Sequence, residues 1–443
     1  MISKKINMKS LFTEHIQILQ TSASRFLEEL DVKGLVFSAG VDIYRFEDDM
    51  TLTFKANHHF LHWCPLASPQ NMIVIEKDKK PLVLAYVPQD YWHQTQSFSG
   101  DEFWAEALDL RVCSTPEEIW KYLQDFCAAF HLHGPTQHTA LEMGLLPVSI
   151  DLLSRLNWQR SLKTNFEIEC SVQATALAAI GHAAAKAAFL NGASEFEIYK
   201  DYLRALQALE KELPYEAIIC LNQNGAILHY HGRNKSERNG NSFLIDAGAQ
   251  INGFASDISR TYASEKAHPV FKSMLHDLNI AQLNLCEMVK PGLSNLDLHL
   301  QSHADVARIL MDHDVIQGMS LDAIIENKLT LDFYPHGVGH LLGIHVHDVG
   351  GYQMNEKGDK SPLDPRAPKL RSIRKYDTGN YFTIEPGIYF IDILLDKRKT
   401  LEFSENYNWK LISELLPMGG IRIEDNLLVS QNGVRNITRE YLP

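Results

Sequence analysis

The sequence predicts an α+β catalytic domain preceded by a smaller α/β domain, and three observations carry the prediction. In the first 160 residues, apolar β-like runs such as Met72-Ile73-Val74-Ile75 and Pro81-Leu82-Val83-Leu84-Ala85-Tyr86 alternate with helical stretches. Beyond Trp158-Gln159-Arg160, two segments with helix start signals follow one another. Further on, an Asn-Gly dipeptide lies between alternating apolar runs, the strongest short-range hairpin signal, because both turn residues need positive φ. Helices followed by paired strands suit a sheet backed by helices on one face. With 443 residues, 45% of them hydrophobic, the chain can bury a large core in two domains, expected at 1–160 and 161–443.

The catalytic domain's first helix opens at Thr164-Asn165-Phe166-Glu167, which has capping-box spacing. Its alanine-rich run through Leu190 favours helix, and Asn191-Gly192 stops it. Ser194-Glu195-Phe196-Glu197 starts the next helix in the same way. The chain then runs through Phe243-Leu244-Ile245-Asp246-Ala247-Gly248 to Asn252-Gly253 and returns through Phe254-Ala255-Ser256-Asp257-Ile258. With Asn252-Gly253 as the loop, Ile251 pairs with Phe254, and by the same count Gly248 faces Asp257. Side chains alternate along a strand, so Asp246 and Asp257 project from one face. They become diagonal neighbours, roughly 7–8 Å apart at the backbone.

Two carboxylates on one sheet face repel unless a cation or proton lies between them. On this segment alone, solvated turn residues explain the pair as well as a metal does. The flanks favour the metal: three apolar residues precede Asp246, and Ala255, Ser256 and Ile258 surround Asp257. Buried carboxylates are seldom tolerated unless paired or coordinating.

Pro269 can open a further helix that ends near Lys290-Pro291-Gly292. The stretch Pro335-His336-Gly337-Val338-Gly339-His340-Leu341-Leu342-Gly343-Ile344-His345-Val346-His347-Asp348 then places four histidines within twelve residues. That exceeds what satisfied core positions need, and the glycines leave room for backbone and ligands to approach. Strand alternation puts His345 and His347 on one face, and composition does not separate them. Residues 352–370, rich in Pro, Lys and Asp, read as an exposed loop insertion. Glu385 follows the β-like run Tyr381-Phe382-Thr383-Ile384, which Pro386-Gly387 breaks. Glu424 lies in Gly419-Gly420-Ile421-Arg422-Ile423-Glu424-Asp425, where alternation puts it on one face with Arg422. An Arg–Glu neighbour pair is the simpler account of that face taken alone.

In order, spacing and flanking residues, these motifs resemble the pita-bread metallopeptidase family, the group of methionine aminopeptidase, aminopeptidase P and prolidase. The motifs are Leu244-Ile245-Asp246-Ala247-Gly248, Asp257-Ile258-Ser259-Arg260-Thr261, the Pro335-to-Asp348 stretch, Thr383-Ile384-Glu385-Pro386-Gly387 and Gly420-Ile421-Arg422-Ile423-Glu424-Asp425. Within the family the chain is similar to the bacterial Xaa-Pro dipeptidase (prolidase) branch, which includes enzymes known as organophosphorus acid anhydrolases. Phe54-Lys55-Ala56-Asn57 with Phe60 and Trp63, and Asp90-Tyr91-Trp92-His93, resemble that branch's amino-terminal domain. Thr51-Leu52-Thr53 and His58-His59 depart from its Pro- and Tyr-containing versions.

The resemblance implies two pseudo-symmetric αβ halves around a curved antiparallel sheet, with two divalent ions between them. It implies Asp246, Asp257, His340, Glu385 and Glu424 as ligands, with Asp257 and Glu424 bridging. Glu385 also becomes the proton shuttle, and His347 the donor to the scissile carbonyl. His336 falls in the outer shell, His229 and Arg371 on the substrate, and Arg422 behind the ligands. The oxygen-rich set suits manganese, or cobalt, better than a thiolate-type zinc site. The implied reaction is cleavage of Xaa-Pro dipeptides by a metal-bridging hydroxide, in a homodimer. The same centre suits a phosphate or phosphonate ester, and longer Xaa-Pro peptides would mark an aminopeptidase P. A catalytically dead binding protein of this fold fits poorly, since all five ligand positions are filled.

A net charge of −13 argues against nucleic acid, whose phosphates call for a basic face. Six cysteines with no Cys-x-x-Cys pair read as buried thiols in a reducing compartment. No apolar signal region follows Met1-Ile2-Ser3-Lys4-Lys5 and no segment is long enough to span a bilayer, so a cytoplasmic protein is expected, away from membranes.

Overall fold

The computed structural model describes residues 7–92, 96–126 and 129–443; Met1 to Lys5, His93 and Cys127 lie outside the described residues. The chain divides into two compact units: residues 1–169 with 355–358, and residues 170–354 with 359–443.

The first unit is built on a six-stranded mixed sheet. Its strands are β1 (Gly34–Ser38), β2 (Met72–Glu76), β3 (Leu82–Tyr86), β4 (Asp109–Cys113), β5 (Phe130–His133) and β6 (Leu146–Pro147), in the order β4-β3-β2-β1-β5-β6. The apolar runs at Met72–Ile75 and Leu82–Tyr86 pair antiparallel, while β1 and β5 run parallel. Helix Met8–Glu29 belongs to the same unit and is capped by the Asn7 side chain.

The division between the units runs inside helix Asn165–Leu190, because its first turn packs with the first unit. Phe166 meets Phe12 edge-on at 5.1 Å. The cap is reciprocal: Thr164 N donates to Glu167 Oε2 (2.9 Å), and Glu167 N donates to Thr164 Oγ1 (3.4 Å). Within the loop expected at 352–370, Asn355–Gly358 also belongs to this unit, where Glu356 pairs with Arg25 at 2.9 Å.

The second unit has two αβ halves. In the first, helices Asn165–Leu190 and Glu195–Leu206 back an antiparallel sheet of β7 (Ile218–Leu221), β8 (Ser242–Asp246) and β11 (Ser259–Ala263), joined by the small hairpin β9 (Gln250–Ile251) and β10 (Phe254–Ala255). Ala185, Phe189 and Tyr202 pack on Phe243, Ile245 and Ile258. In the second half, helices Pro269–Met288 and Asn295–Asp312 accompany β12 (Tyr381–Ile384), β15 (Asp425–Ser430) and β16 (Gly433–Asn436), with Leu285 and Leu298 against Phe382, Ile384 and Leu427. Strands β13 (Gly387–Tyr389) and β14 (Gly420–Arg422) pair beside them.

The expected hairpin register holds. Asn252 and Gly253 take φ of 51° and 86°, and Phe254 pairs with Ile251 and Ser259 with Asp246. The two halves are stitched where the candidate ligands lie. Glu424 N donates to Ser259 O (3.0 Å), Asp257 N to Asn426 Oδ1 (3.0 Å), and Arg422 N to Thr261 Oγ1 (3.0 Å). No helix among the described residues is long and apolar enough to cross a membrane.

Candidate metal centre

Each candidate ligand is held by the backbone around it. Asp246 ends β8, and Asp257 stands diagonal to it on the returning strand. Between them Gly248 allows a close crossing, since a Cβ there would sit 2.0 Å from Ser256 O. The His340 and Glu385 segments lock to each other: Glu385 N donates to Val338 O (2.8 Å), Thr383 N to His340 O (2.9 Å), and His340 N to Thr383 Oγ1 (3.1 Å). Gly339 is needed there, because a Cβ would lie 2.0 Å from Thr383 O.

The five side chains line one cavity of about 540 Å³. His340 Nδ1 donates to Leu341 O (3.0 Å), which turns Nε2 toward the carboxylates, 3.5 Å from both Asp257 Oδ2 and Glu385 Oε1. Asp257, His340 and Glu424 each bring a ligand atom within 4.8 Å of the others. Glu424 Oε2 accepts from Ser259 Oγ (2.8 Å), and Ser259 Oγ accepts from Arg422 Nε (2.9 Å). Arg422 sends its remaining nitrogens to Asp246 Oδ2 (2.8 Å) and Tyr389 Oη (2.9 Å). The simple Arg–Glu pairing on this face therefore gives way to an Arg–Asp one.

The four carboxylates crowd against the His340 imidazole and the Arg422 guanidinium. Burial, reinforced by the Asp257 charge and opposed by Arg422, pushes Asp246 up to about 6. Burial pushes Glu385 up to about 7, with His340 opposing, and it raises Glu424 well above the carboxylate range, with Asp257, Glu385 and Asp246 adding to it. Burial also works against ionised Asp257, but the His340 hydrogen bond and charge hold it below its usual value. Negative charge so crowded needs a counter-ion, and an oxygen-rich set with one imidazole fits a hard divalent cation.

The model for metallopeptidase family M24 matches residues 169–431, and that for the Xaa-Pro dipeptidase N-terminal domain matches residues 10–157. The chain is 40% identical over 432 residues to a Xaa-Pro dipeptidase of Shewanella pealeana, covering 97% of each chain. It is 39% identical to a Xaa-Pro dipeptidase of Pseudoalteromonas translucida, covering 97% of this chain and 98% of that one. The chain belongs to metallopeptidase family M24. Among solved structures, aminopeptidase P from E. coli with the inhibitor Pro-Leu superposes with a TM-score of 0.74 at 20% identity, covering 98% of this chain and 95% of that one. Pseudomonas aeruginosa aminopeptidase PepP gives 0.75 at 19%, covering 97% and 95%. Both share the fold.

In this M24 metallopeptidase, the remaining predicted residues surround the carboxylates unequally. His229, His336, His347 and Arg371 all line the cavity. His336 Nδ1 donates to its neighbour Gly337 O (2.9 Å), so Nε2 accepts from Tyr389 Oη (2.8 Å). Its ring is neutral, since burial and then Arg422 lower its pKa to about 3. His347 stands edge-on to His340 at 4.4 Å with its ring open to the cavity. Partial burial and then the His340 charge lower it to about 4.

The strand expected at His345 and His347 is not formed. Gly343 N donates to His345 O (3.0 Å), a tight turn that breaks the extension. His345 consequently faces Asp348 at 3.5 Å and is absent from the cavity wall.

Sequence reasoning did not single out Tyr215, whose hydroxyl lies 2.9 Å from Asp246 Oδ1 and 2.6 Å from Asp257 Oδ1. Nor did it single out Tyr389, Ser259 or Asn426 as ligand-positioning residues. Tyr215 precedes β7 in an irregular segment and offers no motif; its only signal is an aromatic residue just after Pro214.

Proposed function

We propose that the chain is a metal-dependent dipeptidase that cleaves Xaa-Pro dipeptides. The observation that carries the reading is one cavity that joins four carboxylates and an imidazole to the exposed guanidinium of Arg371. Asp246, Asp257, His340, Glu385 and Glu424 would hold the metal, two divalent ions on this reading. The oxygen-rich donors favour manganese, then cobalt. When bound, such a pair supplies Lewis acidity and lowers the pKa of water toward neutrality.

The protein's own groups do the rest. Glu385 moves the proton from the attacking water to the leaving imino nitrogen, from a carboxylate whose Oε2 lies 3.8 Å from His336. His347 donates to the scissile carbonyl oxygen from its place beside His340. Arg371 grips the carboxylate that follows the scissile bond, through two parallel hydrogen bonds that a lysine cannot reproduce. His229 closes the substrate side. His336, with both ring nitrogens engaged, orients Tyr389.

A homodimer belongs to the same reading. The segment around the Tyr44–Thr51 bridge exposes Ile43, Tyr44, Met50 and Phe46, the last at 91%. An apolar patch of this kind on a domain surface suits a second copy of the chain. Buried thiols at Cys64, Cys113, Cys170, Cys220 and Cys286 suit a reducing cytoplasm.

The test uses chelated, metal-free protein reloaded with manganese or zinc. Ala-Pro, Ala-Pro-Leu and a phosphotriester are offered as alternative substrates. Ala-Pro should be turned over best, and manganese should restore more activity than zinc. Full activity in the metal-free protein would remove the metal. Preference for Ala-Pro-Leu would move the chain to aminopeptidase P, and preference for the phosphotriester to ester hydrolysis.

A further inference from the structure

Arg371 has a neighbour that the reaction above leaves unused. Lys369 lines the same cavity, and exposure alternates along the segment: Lys369 exposed, Leu370 buried, Arg371 exposed, Ser372 buried. Lys369 lies in a turn closed by Leu370 N donating to Ala367 O (3.2 Å), and Arg371 at the bend that follows, so the two cations stand two residues and at most roughly 7 Å apart along the chain.

The stretch is held firmly. Tyr352 Oη donates to Leu370 O (3.2 Å), Asn295 Nδ2 to Ser372 O (2.9 Å), and Ile373 N to Gly351 O (2.9 Å). Gly337 lets it pass, since a Cβ there would be 3.2 Å from both Leu370 Cα and Lys369 O. Among the described residues no carboxylate lies within ion-pair distance of either Lys369 or Arg371, whereas Arg374 on the same segment is buried against Asp377 at 2.8 Å. A loop cation with a structural task is paired in this way; these two face the cavity.

One cation suffices for the single carboxylate of a neutral Xaa-Pro dipeptide, so the second has a different object. A two-residue peptide spans about 7 Å. The carboxylate of a Glu or Asp before proline therefore lies at a separation from the terminal carboxylate comparable to that between Lys369 and Arg371. We propose that Lys369 is a specificity residue that favours an acidic residue before the proline. This rests on the dipeptidase reading and on Arg371 as the holder of the terminal carboxylate.

The experiment compares kcat/KM for Glu-Pro and its neutral isostere Gln-Pro on manganese-loaded full-length protein, so that any general loss cancels in the ratio. The wild type should favour Glu-Pro by about threefold to fivefold, as for a solvent-facing charge pair. The preference should fall with added salt. Lys369→Met should bring the ratio to one, Lys369→Arg should keep it, and Lys369→Glu should reverse it and favour Lys-Pro. Equal use of Glu-Pro and Gln-Pro by the wild type, or an unchanged ratio in Lys369→Met, overturns the proposal and leaves the dipeptidase reading standing. Failure to cleave any Xaa-Pro dipeptide overturns that reading, and this proposal with it.

Discussion

Arg422 Nη2 donates to Asp246 Oδ2 across 2.8 Å, with both side chains largely withdrawn from solvent. The pair joins β14 of one half to the end of β8 in the other, so a candidate ligand from one half is held by a cation from the second. The same guanidinium reaches Tyr389 and Ser259, and Ser259 reaches Glu424. One planar fork thus fixes two carboxylates at once.

Arg422→Lys keeps the charge and removes the fork. It should weaken metal binding or kcat/KM for Ala-Pro by about 10- to 100-fold, as loss of a group behind metal ligands does. Tyr389→Phe should cost less, because the Arg422–Asp246 bond remains. Metal titration with a competing chelator reads the affinity directly, and two tightly bound ions in Arg422→Lys would sink the role.

Tyr215→Phe removes the hydroxyl shared between Asp246 and Asp257. In the metal-free protein that proton eases two facing carboxylates, and its loss should cost about 1–3 kcal/mol. With manganese bound, the ions take over that task and the cost should shrink. Melting temperatures of both proteins, with and without metal, separate the two cases. An equal drop in each form would make Tyr215 an ordinary packing residue.

The contrast between Tyr215 and the aspartates shows what the sequence could carry. Asp246 and Asp257 were legible because a local turn, Asn252-Gly253, sets their register, and everything between them follows by counting. Tyr215, Ser259 and Tyr389 reach the carboxylates from distant points in the chain, and no short pattern encodes that convergence. The placing of His345 and His347 on one face fails for a different reason. Alternation presumes an extended chain, and the Gly343–His345 turn removes the extension. The sequence signals put the domain limit at 160, ahead of the helix, whereas Phe166 and Glu167 carry the helix's first turn into the first unit's packing.

That first turn leads to a pH prediction. His15 is buried, with Nε2 donating to His62 O (2.8 Å) and Nδ1 accepting from Thr164 Oγ1 (2.9 Å), a pattern that fits the neutral ring. Glu167 and His62 lie beside it, and Arg160 and Lys163 lie beside His62. Burial, only partly offset by the Glu167 charge, lowers its pKa from 6.5 to about 4. The unfolded chain therefore binds the proton more readily. The contribution of His15 is fully present above about pH 6.5 and is lost as pH falls toward 4, up to about 3 kcal/mol. Melting temperatures of the wild type and His15→Asn, taken from pH 7.5 down to 4.5, should converge on the acid side. Parallel curves would assign the acid loss to other groups.

Arg371 supports the sharpest prediction about substrate. Its backbone is held by hydrogen bonds at the residues on either side, Tyr352 Oη donating to Leu370 O (3.2 Å) and Asn295 Nδ2 to Ser372 O (2.9 Å), so a side-chain change leaves the segment in place. Arg371→Lys retains the positive charge but gives up the two parallel hydrogen bonds of a guanidinium. On Ala-Pro, kcat/KM should fall by about 10- to 100-fold, mostly through KM, in line with a charge-assisted bond worth 1.5–3 kcal/mol. On Ala-prolinamide, which has no carboxylate to hold, the same variant should stay within about threefold of wild type. A structural guanidinium would matter equally to both substrates. Equal losses would therefore return Arg371 to the loop and leave the terminal carboxylate without its assigned partner.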